Sequence, residues 1–306
     1  MKTYPKKVKI IEVGPRDGLQ NESKIISTQD KVKFIQKLTA SGIQNIEIGS
    51  FVSPKHVPQL SDTEEVVKNL KQNADVIYSA LVPNLKGLDR AMACGVKRVA
   101  VFTSASETFT EKNINMTIPE SLRIYKEVIQ KAQKNNMSAR GYISTCFVCP
   151  YEGEIKKDKV LEVAISLLEM GVDEISIGDT IGAASPKDIF ETVGFLLGKI
   201  PGDKMALHFH DTYGTALANV VAGLELGITA FDSSAGGLGG CPYAPGASGN
   251  IATEDLIYIL TRMGIKTNID LKKLAEASLF MQNVLGKDLP SKQLKKLISR
   301  ASRIST

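Results

Sequence analysis

Residues 170–177 read Met-Gly-Val-Asp-Glu-Ile-Ser-Ile, directly after an amphipathic run at 157–169 whose apolar positions recur every three to four residues. The glycine stands where a helix C-cap needs one, and the β-branched run after it opens a strand. The phrase recurs as Ser41-Gly-Ile-Gln-Asn-Ile-Glu-Ile, Cys94-Gly-Val-Lys-Arg-Val-Ala-Val and Leu226-Gly-Ile-Thr-Ala-Phe-Asp-Ser. Periodic helical patterns at 27–40, 84–93 and 214–225 precede these copies. One helix-to-strand joint is thus repeated along the chain.

Strand-like runs at 8–13, 76–82, 138–144 and 204–209 fill the gaps, so eight strands alternate with helices. Largely apolar strands joined through helices argue for a parallel sheet. Eight such units over about 250 residues fit an α/β fold of the (β/α)8 TIM barrel kind. The alternative, an open doubly wound sheet, wants an early Gly-rich phosphate turn, and Val13-Gly-Pro-Arg-Asp-Gly is not G-x-G-x-x-G. Additional C-terminal helices are expected at 253–263 and 271–285, and the basic stretch 292–303 reads as a solvated surface segment. The expected organisation is one catalytic domain over 1–306, with the barrel at about 8–265 and a helical extension at about 266–306.

Composition narrows the class. The chain has 306 residues, 43% of them hydrophobic, and a formal net charge of +5. That charge is too mild and dispersed for a nucleic-acid partner, though it would not repel an acidic substrate. No apolar run approaches the ~20 residues needed to span a bilayer, so no membrane partner is expected. The opening Met-Lys-Thr-Tyr-Pro-Lys-Lys lacks a signal-peptide core. Four cysteines make no disulfide framework. The expected location is the cytoplasm.

In such a barrel, chemistry gathers at the C-terminal ends of the strands. Those ends supply Arg16 and Asp17, Glu47 with Ser50 and Phe51, Tyr142 and Thr145, Asp179 and Thr180, and His208, His210 and Asp211. Substrate contacts are expected from Arg16, Gln20, Ser50, Tyr142 and Thr180. His208-Phe-His210 places two imidazoles on one face of a strand, roughly 7 Å apart at Cα. Asp17 can add a carboxylate. Asn250 can add an amide oxygen if the glycine-rich loop that ends in it folds back over the barrel mouth. Two nitrogens with oxygen donors and no thiolate suit Mg²⁺, Mn²⁺ or a similar octahedral ion better than structural zinc. Two histidines and an aspartate also resemble the facial triad of iron oxygenases, and that alternative stays open on the residues alone.

Residues 236–250, Gly-Gly-Leu-Gly-Gly-Cys-Pro-Tyr-Ala-Pro-Gly-Ala-Ser-Gly-Asn, surround Cys241 with six glycines. Such a run makes a poor helix or strand and a good mobile loop. Cys146-Phe-Val-Cys149 has redox or zinc spacing, but no second pair accompanies it. It reads as two small packed side chains.

Taken in order, Val13-Gly-Pro-Arg-Asp-Gly-Leu-Gln-Asn-Glu, Ser50-Phe-Val-Ser-Pro-Lys, Gly178-Asp-Thr-Ile-Gly, His208-Phe-His-Asp-Thr-Tyr-Gly and Gly236-Gly-Leu-Gly-Gly-Cys-Pro-Tyr-Ala resemble the 3-hydroxy-3-methylglutaryl-CoA lyase family. The resemblance runs over roughly residues 8–290. Its Arg-Asp and His-x-His-Asp elements are shared with the isopropylmalate and homocitrate synthases, and the cysteine loop points to the lyase. It implies Asp17, His208, His210 and Asn250 as ligands of a divalent cation (Mg²⁺ or Mn²⁺). It implies Arg16, Asp179, His208 and Cys241 in catalysis, with Glu47 and Glu254 supporting them. It also implies an acyl-CoA substrate, a homodimer, and a place in leucine degradation and ketone-body metabolism. Gly49, His56 and Pro245 depart from residues often seen in relatives, and none is an implied ligand. An isopropylmalate-type condensing enzyme would share the metal barrel without needing the Cys241 loop. The CoA nucleotide is expected in a basic groove drawing on Lys24, Lys55 or Lys86.

Overall fold

The computed structural model describes residues 4–240 and 249–304, with side chains through Ser299. Cys241 and Pro245 lie outside the described residues. Eight strands form a closed parallel barrel: β1 Lys9–Glu12, β2 Asn45–Ser50, β3 Ile77–Leu81, β4 Arg98–Ser104, β5 Ser138–Ser144, β6 Glu174–Asp179, β7 Met205–Phe209 and β8 Ala230–Ser233. Around the sheet each strand pairs with its sequence neighbours, and β8 closes on β1 through Lys9 opposite Ala230 and Glu12 opposite Ser233.

The helices are α1 Thr28–Ala40, α2 Thr63–Asn69, α3 Leu85–Ala93, α4 Glu107–Ile114, α5 Ile118–Lys134, α6 Lys157–Met170, α7 Pro186–Leu197, α8 Ala216–Glu225, α9 Thr253–Arg262, α10 Leu271–Leu285 and α11 Lys292–Ile304. The repeated joints do what their glycines imply. Gly42, Gly95, Gly171 and Gly227 have φ of 98°, 80°, 99° and 85°, a left-handed geometry that a side chain would strain. No helix is long and apolar enough to cross a membrane among the described residues.

The main apolar core lies between the sheet and the helices, with Phe34, Ile35, Leu38, Ile129, Leu167 and Leu196 all fully buried. The barrel lumen is different. Its contacts join strands that are not neighbours in the sheet, which can happen only across the interior. Arg140 of β5 reaches Asp232 of β8 at 2.6 Å, Tyr142 of β5 bonds Glu47 of β2, and Lys9 of β1 pairs with Glu174 of β6. Buried charges persist only when paired and hydrogen-bonded, and here Arg140, Glu47, Glu174 and Asp232 each have a partner, while Lys9 is exposed at the end of the lumen. A charged lumen therefore supports the site from below.

The C-terminal helices arrive as expected at 253–262 and 271–285. Lys266 bridges back to Lys7 beneath β1, where the barrel ends and the extension begins. The basic stretch differs from expectation. It is helix α11, docked on α9 rather than solvated: Leu294 is fully buried. Asp255 of α9 accepts from the backbone N–H of Lys292 at 3.1 Å and Gln293 at 2.8 Å. Leucine spacing inside a lysine-rich segment, satisfied only by a neighbouring helix, accounts for the difference. Cys146 and Cys149 are both buried. The first donates to the Ile143 carbonyl at 3.0 Å and the second meets Ser106 Oγ at 3.0 Å, as two packed side chains should.

Candidate active site

The chain leaving β1 makes a single π-helical turn, Gly14–Gly18, in which the N–H groups of Arg16, Asp17 and Gly18 all donate to the Val13 carbonyl at 3.1, 2.7 and 3.2 Å. Both glycines are required by close approach. A Cβ on Gly14 would sit 2.6 Å from Glu12 Oε1, and one on Gly18 would sit 2.8 Å from Leu238 Cβ. The tight turn presents Arg16 and Asp17 side by side at the barrel mouth.

Arg16 donates through Nε to Glu47 Oε1 and through Nη1 to Asp17 Oδ1, each at 2.6 Å, and its guanidinium lies 5.2 Å from the centre of the Tyr142 ring. Burial disfavours its charge, but Glu47 and then Asp17 outweigh that and raise its pKa, so Arg16 stays cationic. Burial likewise works against ionisation of Asp17. Arg16, His208 and His210 overcome it and hold the carboxyl down at about 2.

His208 and His210, at the end of β7, have ring centres 5.3 Å apart. One ligand atom from each of Asp17, His208 and His210 falls within 4.8 Å of the others. Burial, reinforced by His208, lowers the His210 pKa to about 4, so its imidazole is neutral near pH 7. Asn250 is brought alongside by a short antiparallel bridge to His210, with Asp211 N–H donating to the Gly249 carbonyl at 2.7 Å. Asn250 Nδ2 donates to Asp17 Oδ2 at 2.7 Å, while its Oδ1 and His210 Nδ1 are buried without partners. Orphaned buried acceptors are uncommon and ask for an explanation. A divalent cation fits this donor set: two imidazoles, a carboxylate and an unclaimed amide oxygen.

The cluster opens onto a cavity of about 800 Å³ whose walls include Arg16, Asp17, Gln20, Tyr142, Thr180, His208 and His210. Ser50 is not in that wall. It is the buried last residue of β2, its Oγ accepting from Val52 N–H at 3.2 Å, and Val52 and Ser53 face the cavity instead. Asp179 is also turned away: its two oxygens accept from the N–H groups of Ala183 and Ala184, each at 3.1 Å. Burial pushes its pKa up to about 7 against those hydrogen bonds. Glu254 stands one layer out. It accepts from Gly236 N–H at 2.8 Å and from Ser278, bracing the stretch that leads towards Cys241.

Of the three lysines considered for the CoA nucleotide, Lys55 lines the cavity, joined by Lys112. Lys24 instead donates to the Val284 carbonyl, and Lys86 is not in the wall. The sequence reading missed the lumen residues beneath the site. Arg140, Glu174 and Asp232 are charged residues within strand patterns, a signal for buried pairing that local periodicity does not register.

Comparison with known proteins gives the same picture. The chain is 52% identical over 291 residues to hydroxymethylglutaryl-CoA lyase of Bacillus subtilis, covering 95% of this chain and 97% of that one. It is 46% identical to the 3-hydroxy-3-isohexenylglutaryl-CoA/hydroxymethylglutaryl-CoA lyase of Pseudomonas aeruginosa, over 97% of this chain and 99% of the relative. A solved HMG-CoA lyase from Acinetobacter baumannii, in complex with coenzyme A and 3-methylmalate, superposes with a TM-score of 0.91 at 40% identity, over 96% of each chain. The HMGL-like family model matches residues 7–281, a span that takes in every barrel strand and every loop of the site, and the chain belongs to the HMGL-like family.

Proposed function

We propose that this chain is a divalent-cation-dependent carbon–carbon lyase that cleaves 3-hydroxy-3-methylglutaryl-CoA to acetyl-CoA and acetoacetate. The observation that carries the reading is the Asp17–His208–His210 cluster with an unclaimed Asn250 oxygen, set beside Arg16 on a cavity. Close likeness to hydroxymethylglutaryl-CoA lyases over nearly the whole chain supports it.

In this reading Asp17, His208, His210 and Asn250 hold the cation, taken as Mg²⁺ or Mn²⁺. When bound, the cation supplies Lewis acidity to the substrate's oxygen groups and orients them. Asp17 accepts the proton of the tertiary hydroxyl, directly or through water, and His208 takes part as a ligand of the cation. As the carbon–carbon bond breaks, the electron pair moves into the thioester enolate. Arg16, braced by Glu47 and permanently charged, stabilises that enolate at its oxygen. Cys241, mostly thiol near neutrality given a reference pKa of about 8.5, delivers the proton that makes the acetyl methyl group. Gln20, Tyr142 and Thr180 contact substrate from the wall. Ser50 and Asp179 act through the turns they hold, and Glu254 through the start of the cysteine stretch. The family resemblance extends the reading to a homodimer of single-domain chains working in the cytoplasm on leucine-derived substrate.

The deciding experiment measures acetyl-CoA and acetoacetate release with Mg²⁺ or Mn²⁺, and again with EDTA. Cation-dependent cleavage is expected, and no cleavage by folded, cation-loaded protein overturns the reading. A wider acyl range is favoured by one feature, the apolar wall of Val52, Leu81 and Phe102 beside Tyr142. The P. aeruginosa relative, whose name carries two substrates, makes 3-hydroxy-3-isohexenylglutaryl-CoA the second compound to assay.

A further inference from the structure

We propose that Asp232 is a positioning residue that fixes His208 for cation binding, by holding the imidazole proton on Nδ1 and leaving Nε2 as the donor to the site. The inference rests on the metal-site reading above. Asp232 sits in β8 directly across the sheet register from His208 in β7. Its Oδ2 lies 3.2 Å from His208 Nδ1 and also accepts the Ser176 hydroxyl at 2.7 Å; its Oδ1 accepts from Arg140 Nη2 at 2.6 Å. Asp232 is 1% exposed and Arg140 3%. The carboxylate is therefore held by three donors from three strands and has no freedom to swing away.

An ionised carboxylate offers no hydrogen, so the ring nitrogen facing it must carry one. Neutral imidazole has one N–H, which leaves Nε2 with the lone pair that a cation needs. Carboxylate partners of this kind set the tautomer and ring orientation of metal-binding histidines, and losing one costs 10–100-fold in metal affinity. The two imidazoles of the site are thus unequal. His210 has no carboxylate behind it in this way: its Nδ1 is the unpartnered nitrogen already assigned to the cation cluster, and its placement comes from the bridge to Asn250. His208 is anchored from below. The anchor is shared, because Arg140 also donates to Glu174 Oε1 and to the Tyr142 hydroxyl, each at 2.8 Å. Tyr142 in turn bonds Glu47, the brace of Arg16. One guanidinium thus registers the cation-binding and the enolate-binding arms against each other.

The chain has three histidines, so imidazole nitrogens can be assigned individually. Long-range ¹H–¹⁵N correlation spectra of cation-free protein at pH 8 should show His208 protonated at Nδ1 and bare at Nε2. A proton on Nε2 overturns the proposal without any variant. In parallel, Mn²⁺ is titrated into the parent and Asp232→Asn, reading free ion by electron paramagnetic resonance. The asparagine can turn its NH₂ towards Nδ1 and drive the proton to Nε2, so affinity should fall 10–100-fold with the tautomer signature reversed. Unchanged Mn²⁺ affinity in folded Asp232→Asn refutes the role of Asp232 alone. A parent that binds no Mn²⁺ refutes the metal-site reading and this inference with it. Should Asp232→Asn fail to fold because Arg140 is left unpaired, the double variant Arg140→Met/Asp232→Asn removes both buried charges. It takes the single variant's place in the titration, with the same expected and refuting results.

Discussion

Glu47→Gln isolates the support of Arg16. Both side chains are nearly sealed, at 9% exposure for Arg16 and 1% for Glu47, with 2.6 Å between Nε and Oε1. Glutamine keeps the shape but removes the charge that neutralises a buried guanidinium, a change that costs about 3–5 kcal/mol when a buried pair is broken. Asp17 remains as a second partner at 2.6 Å, so the lower figure, about 3 kcal/mol, applies. At about 2.1 cal/mol/K per residue, the unfolding entropy of this chain is about 0.6 kcal/mol/K, and the loss corresponds to about 5 °C in Tm. Tyr142 loses its carboxylate acceptor in the same substitution. A misplacement of Arg16 by about 1 Å should lower turnover about 100-fold. Thermal unfolding followed by circular dichroism and the acetoacetate-release assay read the two effects. The double variant Arg16→Met/Glu47→Gln should recover most of the stability and none of the turnover. A Glu47→Gln protein within 1 °C and twofold of the parent would refute the reasoning.

His210→Ala should weaken Mn²⁺ binding at least tenfold, and an unchanged calorimetric titration would remove it from the ligand set. Cys241→Ser should lower turnover far more than substrate affinity; near-normal turnover would exclude the thiol as the enolate's acid. Glu12 and Glu254 are each pushed up by burial to about 7, against the hydrogen bonds they accept. Between pH 4.5 and 7 the folded chain therefore holds protons that the unfolded chain has released. Stability from each group is complete below pH 4.5 and is lost as pH rises through 7. Glu254→Gln should accordingly lose less stability than the parent between pH 5 and pH 8, by up to about 3 kcal/mol. Equal losses of unfolding free energy between the two pH values in parent and Glu254→Gln, measured by urea unfolding, would contradict this assignment.

Much of the site was legible because barrel strands put their C-terminal ends on one face, so local order translates into common location. Arg16, Asp17, Gln20, Tyr142, Thr180, His208 and His210 all reach the cavity for that reason. Ser50 and Asp179 have the same strand-end address, yet their side chains hold backbone turns, and only three-dimensional packing decides which way such a residue faces. Lys24 failed as a cavity residue because the α10 carbonyl of Val284 claims it.

By itself the sequence determined the barrel, since each glycine-capped joint is a local event set by backbone sterics and hydrophobic periodicity. It also determined the two imidazoles on one strand face, since the period of a strand is two. The tertiary structure alone decided what lies beneath them. Asp232 meets His208 from 24 positions away and Arg140 from 92. Pairings at that range arise only when the barrel closes, because a charge in a low-dielectric lumen must find its partner across space rather than along the chain.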